Sequence, residues 1–336
     1  MIIILSATPD THADQAETLL KKRGVSYLRI DADRFSESNS IRLSNGEFSI
    51  QWDGKQIPCD QISAVWLRKP FLWYQTYHDK TELETIQSVL RQRESSDLIK
   101  EFLLYLQRKN IYCINNFDTL ESASYKLDQL SLAREVGLQT PDTLVTTNPD
   151  EIETFIKSHN DVSISKCIRT SAIKFGQINK VLNTTEFTLS KFQHMRPRMS
   201  FDMPYLFQEK IEKQSEIRAI VVGERVFSGE ILSQEHDEAR IDMKKKSFYK
   251  MEHRVHQLPE EVEQKCIQLM KKYGIVYGAI DLIRTPDDQY VFLEVNSNGQ
   301  YLWIEELTGM PITEAIIDLL TSHVQNLKEE AHQEQF

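Results

Sequence analysis

Apolar residues along this chain of 336 residues keep two different periods. Ile2–Leu5 is an unbroken apolar run, the mark of a strand buried on both faces. His12–Arg23 repeats its apolar positions at helical spacing and stops at Gly24, and Val25–Ile30 reads as a second strand. Phe48–Trp52 and Lys55–Ile57 alternate on either side of Asp53-Gly54, which predicts a hairpin. Ile62–Trp66 is a third buried strand, and Thr81–Lys109 is one long helix or two. Strand and helix alternating in this way predict an α/β layer around a mostly parallel sheet.

A second unit begins near Asp118. Residues 118–136 read as one helix stopped at Gly137, and Thr140-Pro141 opens the next strand. Helix Pro149–His159 and strand Val162–Lys166 follow. From Tyr205 the pattern becomes strand-rich, with Tyr205–Lys210, Ile217–Val222 and Arg225–Ser228, the last two joined through Gly223. Helix Pro259–Tyr273 precedes strands at Tyr277–Arg284 and Val291–Val295. The units divide as 1–117, 118–204 and 205–327, followed by a polar tail, 328–336, expected to fray. Two α/β units that close over something between them fit this order better than one barrel.

Composition narrows the possibilities. Forty Lys and Arg stand against 50 Asp and Glu, a net charge of −10, which disfavours a nucleic-acid partner. Cys59, Cys113, Cys167 and Cys266 form no C-x-x-C pair, so a disulfide framework or zinc site is not expected and a reducing cytoplasm is. Met1–Leu5 lacks the basic lead of a signal peptide. No run approaches the roughly 20 apolar residues of a membrane span. Basic islands at Arg196–Arg198 and at Lys244–Lys246 with Lys250 are either solvated faces or places where a phosphate or acidic substrate sits.

The chemistry concentrates near the end of the chain. Strict alternation in the last strand puts Val291, Leu293 and Val295 on one face, with Phe292, Glu294 and Asn296 on the other. Two oxygen donors two residues apart suggest a hard cation. Asp281 lies in an apolar strand, where a bare carboxylate is costly to bury unpaired. If Ile280–Ile283 pairs with Val291–Val295, then Asp281, Glu294 and Asn296 converge and leave room for phosphate oxygens, as Mg²⁺ is held in ATP sites. Taken singly, each has a plainer reading as a hydrogen-bonded Asp, an edge Glu or a turn Asn. Upstream, Glu209 and Glu216 bracket a short excursion between two strands, followed by Arg218. That segment offers backbone edges for adenine and a carboxylate for ribose, although a surface hairpin would look the same. Lys126 and Lys166, the latter ending an apolar strand, suit a triphosphate; a strand-terminal lysine also often snorkels.

Lys126, Lys166, Gln208–Ile211, Glu216–Arg218, Asp281 and Glu294–Asn298, in this order, resemble the ATP-grasp superfamily. His12–Asp14, Arg29–Phe35, Trp66–Pro70 and Asn298–Glu305 extend the likeness to the graspetide synthetases, macrocyclases of microviridin-type ribosomal peptides, over residues 1–325. The resemblance implies an α/β ATP-grasp fold, with an N-terminal pre-ATP-grasp domain and central and C-terminal ATP-grasp subdomains. It implies ATP and Mg²⁺ as cofactors, a ribosomal precursor peptide (a leader plus an acidic, Thr-rich core) as partner, and a homodimer. It also implies ester or amide macrocycles closed through an acyl-phosphate. By position, Lys126 and Lys166 would bind phosphates, Glu209, Lys210 and Ile211 the adenine edge, and Glu216 the ribose. Asp281, Glu294 and Asn296 would hold magnesium, Arg218 and Arg240 would lie by the γ-phosphate and acyl-phosphate, and Arg68 and Asn298 would face substrate. The chain departs from the pattern in two places. One glycine stands in Cys167–Gly176 where relatives have several, and Asp242-Met243-Lys244 replaces a D-W-R run.

Other candidates carry less. His253 and His256 lack a third ligand and read as surface. Trp66 and Arg68 end a buried strand, where packing and substrate binding fit equally. Residues 186–203 carry Phe187, Leu189, Phe192 and Met195, which would dock the leader peptide by resemblance and pack a core by periodicity. A ligase that adds free amino acids to a peptide or protein tail is the alternative enzyme. A non-catalytic peptide binder that uses ATP structurally has little use for all three of Asp281, Glu294 and Asn296.

Overall fold

In the computed structural model, residues 1–35, 39–69, 81–169, 172–175, 178–237, 240–241 and 248–333 are described. The N-terminal unit runs β1 (Ile2–Ser6), α1 (Thr11–Lys22), β2 (Tyr27–Asp31), β3 (Asn39–Ser44), β4 (Glu47–Trp52), β5 (Lys55–Pro58), β6 (Ala64–Leu67), α2 (Glu82–Arg108) and β7 (Tyr112–Ile114). Its parallel sheet has the order β2-β1-β6-β7, and β3-β4-β5 form a separate antiparallel sheet. The side-chain period of two divides β1 between two cores. Ile3 and Leu5 pack with Ile99, Phe102 and Leu106 of α2, while Ile2 and Ile4 pack towards the C-terminal helices. The sequence reading found β4 and β5 but not β3, whose apolar content is Ile41 and Leu43 alone. Helix α2 is continuous, and Thr81 and Glu84 cap its start reciprocally.

The middle of the chain forms α3 (Phe117–Ser122), α4 (Lys126–Glu135), β8 (Thr143–Thr146), α5 (Pro149–Ser158), β9 (Val162–Lys166), β10 (Ala172–Phe175), β11 (Ile178–Val181), β12 (Thr185–Thr188), α6 (Leu189–Met195) and β13 (Tyr205–Glu209). Strands β12-β9-β13-β8 make one antiparallel sheet. The helix expected over 118–136 is two helices, broken at Ala123–Tyr125, and the break places Lys126 at a helix start. Phe187 and Phe192 pack with Phe207 under this sheet, as the core reading of that stripe expects, and Met195 stays exposed.

The last part comprises β14 (Ser215–Val222), β15 (Arg225–Ile231), β16 (His253–His256), α7 (Glu260–Tyr273), β17 (Tyr277–Arg284), β18 (Tyr290–Asn296), α8 (Leu302–Thr308) and α9 (Ile312–Gln333). Strands β16-β15-β14-β17-β18 form an antiparallel sheet. One face of β14, with Ile217, Ala219 and Val221, packs on α7 within a core that α4 also enters. On the other face Ile220 and Val222 join the core shared with β1 and α9, whereas Glu216 and Arg218 are the polar positions. That face is therefore covered at one end and polar at the other. The tail expected to fray is helical as far as Gln333.

Candidate nucleotide and metal site

The polar end of β14 and β17 is the floor of a cleft of about 780 Å³, and the sheet containing β9 and β13 supplies the opposite wall. Lys126, Lys166, Glu209, Lys210, Ile211, Glu216, Arg240, Asp281 and Glu294 all line it. The excursion from Glu209 to Glu216 is the connection between the two sheets, so residues expected to grip one ligand do meet across one space.

The three oxygen donors are set by pairing and by one irregularity. Asp281 lies directly opposite Glu294, and Ala279 opposite Asn296. The register shifts between Asp281 and Leu282, whose partner is Phe292, so Leu293 is extra. The bulge corrects the alternation expected for this strand. Phe292 and Val295 share the core beneath, while Leu293 and Glu294 both line the cleft. Gln129 of α4 fixes the backbone between the donors: its Nε2 donates to Val295 O at 2.8 Å and its Oε1 accepts from Val295 N at 3.0 Å. Neither propensity nor charge marked Gln129, although it lies one turn from Lys126 on the same helix.

Both buried carboxylates have cationic partners from the protein. Arg218 Nη1 donates to Asp281 Oδ1 at 2.6 Å, and Lys126 Nζ is 3.2 Å from Glu294 Oε2. Asn296 Nδ2 lies 3.4 Å from Glu294 Oε1, which leaves its own oxygen for another partner. Two carboxylates that line the cleft and an amide oxygen beside them are hard donors that suit Mg²⁺ with room for phosphate oxygens. Although burial alone would lower it, the Asp281 charge raises the pKa of Arg218, so the guanidinium stays charged.

Towards the hinge, Glu216 is 4% exposed; it accepts from Lys213 Nζ at 2.9 Å and from Ser233 Oγ at 3.2 Å. Burial pushes its carboxyl up against the pull of Lys213. Lys213, which the sequence reading did not single out, also donates to Ile241 O at 3.0 Å. Glu209 Oε2 accepts from Asp142 N at 3.3 Å, and Lys210 pairs with Glu186 at 2.5 Å. Gln208 is fully buried on the same wall, and its Oε1 has no hydrogen-bond partner among the described residues, an acceptor of the kind an adenine amino group would satisfy. Arg240 sits at the mouth, exposed and 3.2 Å from Asp237. Lys244 and residues 170–171 and 176–177 of the loop after Lys166 lie outside the described residues.

Arg68 and Asn298 meet each other rather than open space. Arg68 is 3% exposed, and its Nη1 donates to Asn298 O at 3.0 Å, while Asn298 Nδ2 returns a bond to Arg68 O at 2.6 Å. A direct grip on a substrate is not what this arrangement offers; the pair ties the N-terminal unit to the loop after β18. Trp66 is buried in the core, as the packing alternative expects. His253 Nδ1 donates to Met251 O, and His256 Nε2 lies 2.8 Å from the Tyr290 hydroxyl, so the two histidines serve separate contacts.

Comparison with known proteins identifies the family and the fold. The model of the RimK-like ATP-grasp domain matches residues 123–320, and that of the MvdD pre-ATP grasp domain matches residues 1–120. A RiPP-associated ATP-grasp ligase from Chryseobacterium gregarium, solved with ADP and a leader and core peptide, superposes with a TM-score of 0.81. It is 27% identical and covers 96% of each chain. The macrocyclase MdnC of Microcystis aeruginosa, bound with its precursor peptide MdnA, has a TM-score of 0.78 at 25% identity, covering 96% of this chain and 99% of that one. A probable alpha-L-glutamate ligase of Haemophilus influenzae is 26% identical over 65% of this chain and 69% of its own length. The chain belongs to the RimK-like ATP-grasp family and carries an MvdD-type pre-ATP-grasp domain ahead of it.

Proposed function

We propose that this ATP-grasp ligase activates Glu or Asp side chains of a ribosomal precursor peptide, one with a leader and an acidic, Thr-rich core. It then closes ester or amide rings with Thr, Ser or Lys side chains of the same peptide. The observation that carries the reading is that Asp281 and Glu294, paired directly across β17 and β18 with Asn296 beside Glu294, line a cleft whose lining also includes Lys126 and Lys166. In this reading the two lysines hold the phosphates, Glu209 to Ile211 with Gln208 hold the adenine edge, and Glu216 holds the ribose. Arg218 orients Asp281, and Arg240 meets the transferring phosphoryl group at the mouth. Arg68 and Asn298 act on the substrate side through the loop they hold. Magnesium, when bound, neutralises charge on the phosphates during transfer.

A peptide carboxylate oxygen attacks the γ-phosphorus and ADP leaves, forming an acyl-phosphate. A hydroxyl or amine then attacks the carbonyl, and inorganic phosphate leaves with one former carboxylate oxygen. Each ring costs the peptide one water. Similarity across 96% of the chain to a ligase solved with leader and core peptide supports a peptide substrate.

The alternative, transfer of free amino acids to a peptide or protein tail, draws on the glutamate-ligase relative. Incubation with ATP, Mg²⁺ and single amino acids separates the two. Phosphate release there, without any peptide, would favour the alternative; release only with an acidic, Thr-rich peptide, with loss of water from it, supports ring closure. Four free cysteines fit a reducing cytoplasm, and none of the described helices is long and apolar enough to cross a membrane. The chain is proposed to work as a homodimer. Leu98–Leu106 of α2 is largely buried within the monomer, whereas Leu83, Ile86 and Leu90 form an exposed stripe one turn apart on the same helix.

A further inference from the structure

The segment leaving β18 is held by other parts of the chain at five successive residues. Asn298 O accepts from Arg68, Gly299 O accepts from the Tyr277 hydroxyl at 2.6 Å, and Gln300 O accepts from Arg218 Nη2 at 3.0 Å. The N–H groups of Tyr301 and Leu302 both donate to His12 Nε2 at 3.2 Å. Gln300 O and Tyr301 N belong to one peptide unit. That peptide is therefore gripped at its N–H by His12 of the N-terminal unit and at its carbonyl by Arg218, whose other nitrogen holds Asp281.

His12 is itself fixed. Asp10 Oδ1 is 3.3 Å from His12 Nδ1, Asp10 Oδ2 accepts from Ser6 Oγ at 2.7 Å, and Arg68 Nε lies 3.5 Å from Asp10 Oδ2. Because Nε2 accepts two N–H groups, the ring proton resides on Nδ1, facing Asp10. Asp10, Arg68, Lys69 and the edge-on Tyr301 ring are the charged and titratable neighbours. Burial of His12, the largest influence on it, disfavours the imidazolium that would break this pattern.

We propose that His12 is a positioning residue for the metal end of the cleft: by holding the N–H of the Gln300–Tyr301 peptide it fixes the carbonyl that orients Arg218, and through Arg218 it fixes Asp281. The N-terminal unit is thereby built into the metal site without touching it. This rests on the reading that Asp281 helps to hold magnesium.

The test compares His12→Leu, His12→Asn and His12→Gln in the full chain. Leucine removes the acceptor, asparagine ends short of the Nε2 position, and glutamine reaches it. Hydrogen exchange of the ligand-free protein should show the Tyr301 and Leu302 amides exchanging at least about tenfold faster in the Leu and Asn variants and near wild type in the Gln variant. Calorimetric ADP binding titrated with Mg²⁺ should need about tenfold more Mg²⁺ in the Leu and Asn variants, the lower end of what losing an outer-shell partner costs. Metal-free ADP affinity should be unchanged in all of them, and glutamine should restore the Mg²⁺ requirement. If His12→Leu does not fold, the Asn and Gln pair carries the comparison. Faster exchange with an unaltered Mg²⁺ requirement would reduce His12 to a structural tie and overturn the proposal while leaving the metal reading intact. Wild-type ADP binding indifferent to Mg²⁺ would overturn the metal reading, and the proposal with it.

Discussion

Asp281 and Glu294 are both buried and both held by a cation, yet the two are not equivalent targets. Arg218, the partner of Asp281, is itself buried, whereas Lys126, the partner of Glu294, reaches solvent along part of its length. Asp281→Asn leaves a guanidinium without its counter-charge, which costs about 3–5 kcal/mol when a buried pair is broken. Glu294→Gln should therefore abolish Mg²⁺-dependent ATP turnover with little loss of melting temperature, and Asp281→Asn should abolish turnover and lower the melting temperature clearly. Steady-state turnover and thermal melts of both variants check this; turnover by Glu294→Gln at the wild-type rate would remove Glu294 from the metal site. A pH effect belongs to the same scale. The folded-state pKa of His12 is depressed by burial, so its contribution to stability is fully present above the unfolded value, about 6.5, and is lost as pH falls through the lower folded value. Melting temperatures measured down from neutral pH should fall more steeply for wild type than for His12→Gln; parallel curves would contradict the assignment of the ring as neutral.

At the scale of elements, the irregular positions shape the site. The extra residue Leu293 turns Glu294 into the cleft while Phe292 and Val295 keep the core, something a strict two-residue alternation cannot express. The chain's order of strands and helices was legible because long apolar periods and turn residues such as Asp53-Gly54 and Gly223 act locally. The three donors were legible because oxygen donors on apolar strands are conspicuous. Gln129 and Lys213 were not, and His12 entered only as part of a resemblance with no role attached, since their roles depend on backbone groups as many as 290 positions away along the chain. The helix break at Ala123–Tyr125 was hidden for a related reason: it carries no Gly or Pro, and what fixes it is the Gln129 side chain, which donates to Ala123 O at 2.6 Å. Gly299 offers a prediction on this scale. A Cβ there would lie 2.5 Å from Ala279 Cβ and 2.8 Å from Arg218 Nη2, so the loop needs glycine for close approach. Gly299→Ala should cost about 1–3 kcal/mol in chemical denaturation and raise the Mg²⁺ requirement, as overpacking displaces Arg218. Unchanged values of both would show that the loop relaxes freely.

As a whole molecule, the chain joins its first and last parts through one continuous core. Ile2, Ile4 and Trp66 pack with Ile220, Tyr301 and the buried face of α9, so the N-terminal unit is not an appendage. The opposite face of the parallel sheet, with Ile3, Leu5 and Val65, covers the apolar part of α2 and leaves Leu83, Ile86 and Leu90 outside. If these residues serve a dimer, light scattering at micromolar concentration should report twice the 39.2 kDa of the chain, and Leu83→Glu with Leu90→Glu should return it to a single copy. A lone 39.2 kDa species in the unaltered protein would count against the dimer. In the proposed reaction, ATP energy passes through a phosphorylated carboxylate of a peptide. A labelling experiment tests it: ATP, Mg²⁺ and an acidic, Thr-rich candidate precursor peptide are supplied, with the peptide's side-chain carboxylates carrying heavy oxygen. Mass spectrometry of the inorganic phosphate should then find one heavy oxygen per phosphate released, in step with one water lost from the peptide per ring. Unlabelled phosphate accompanying ring closure would contradict the account.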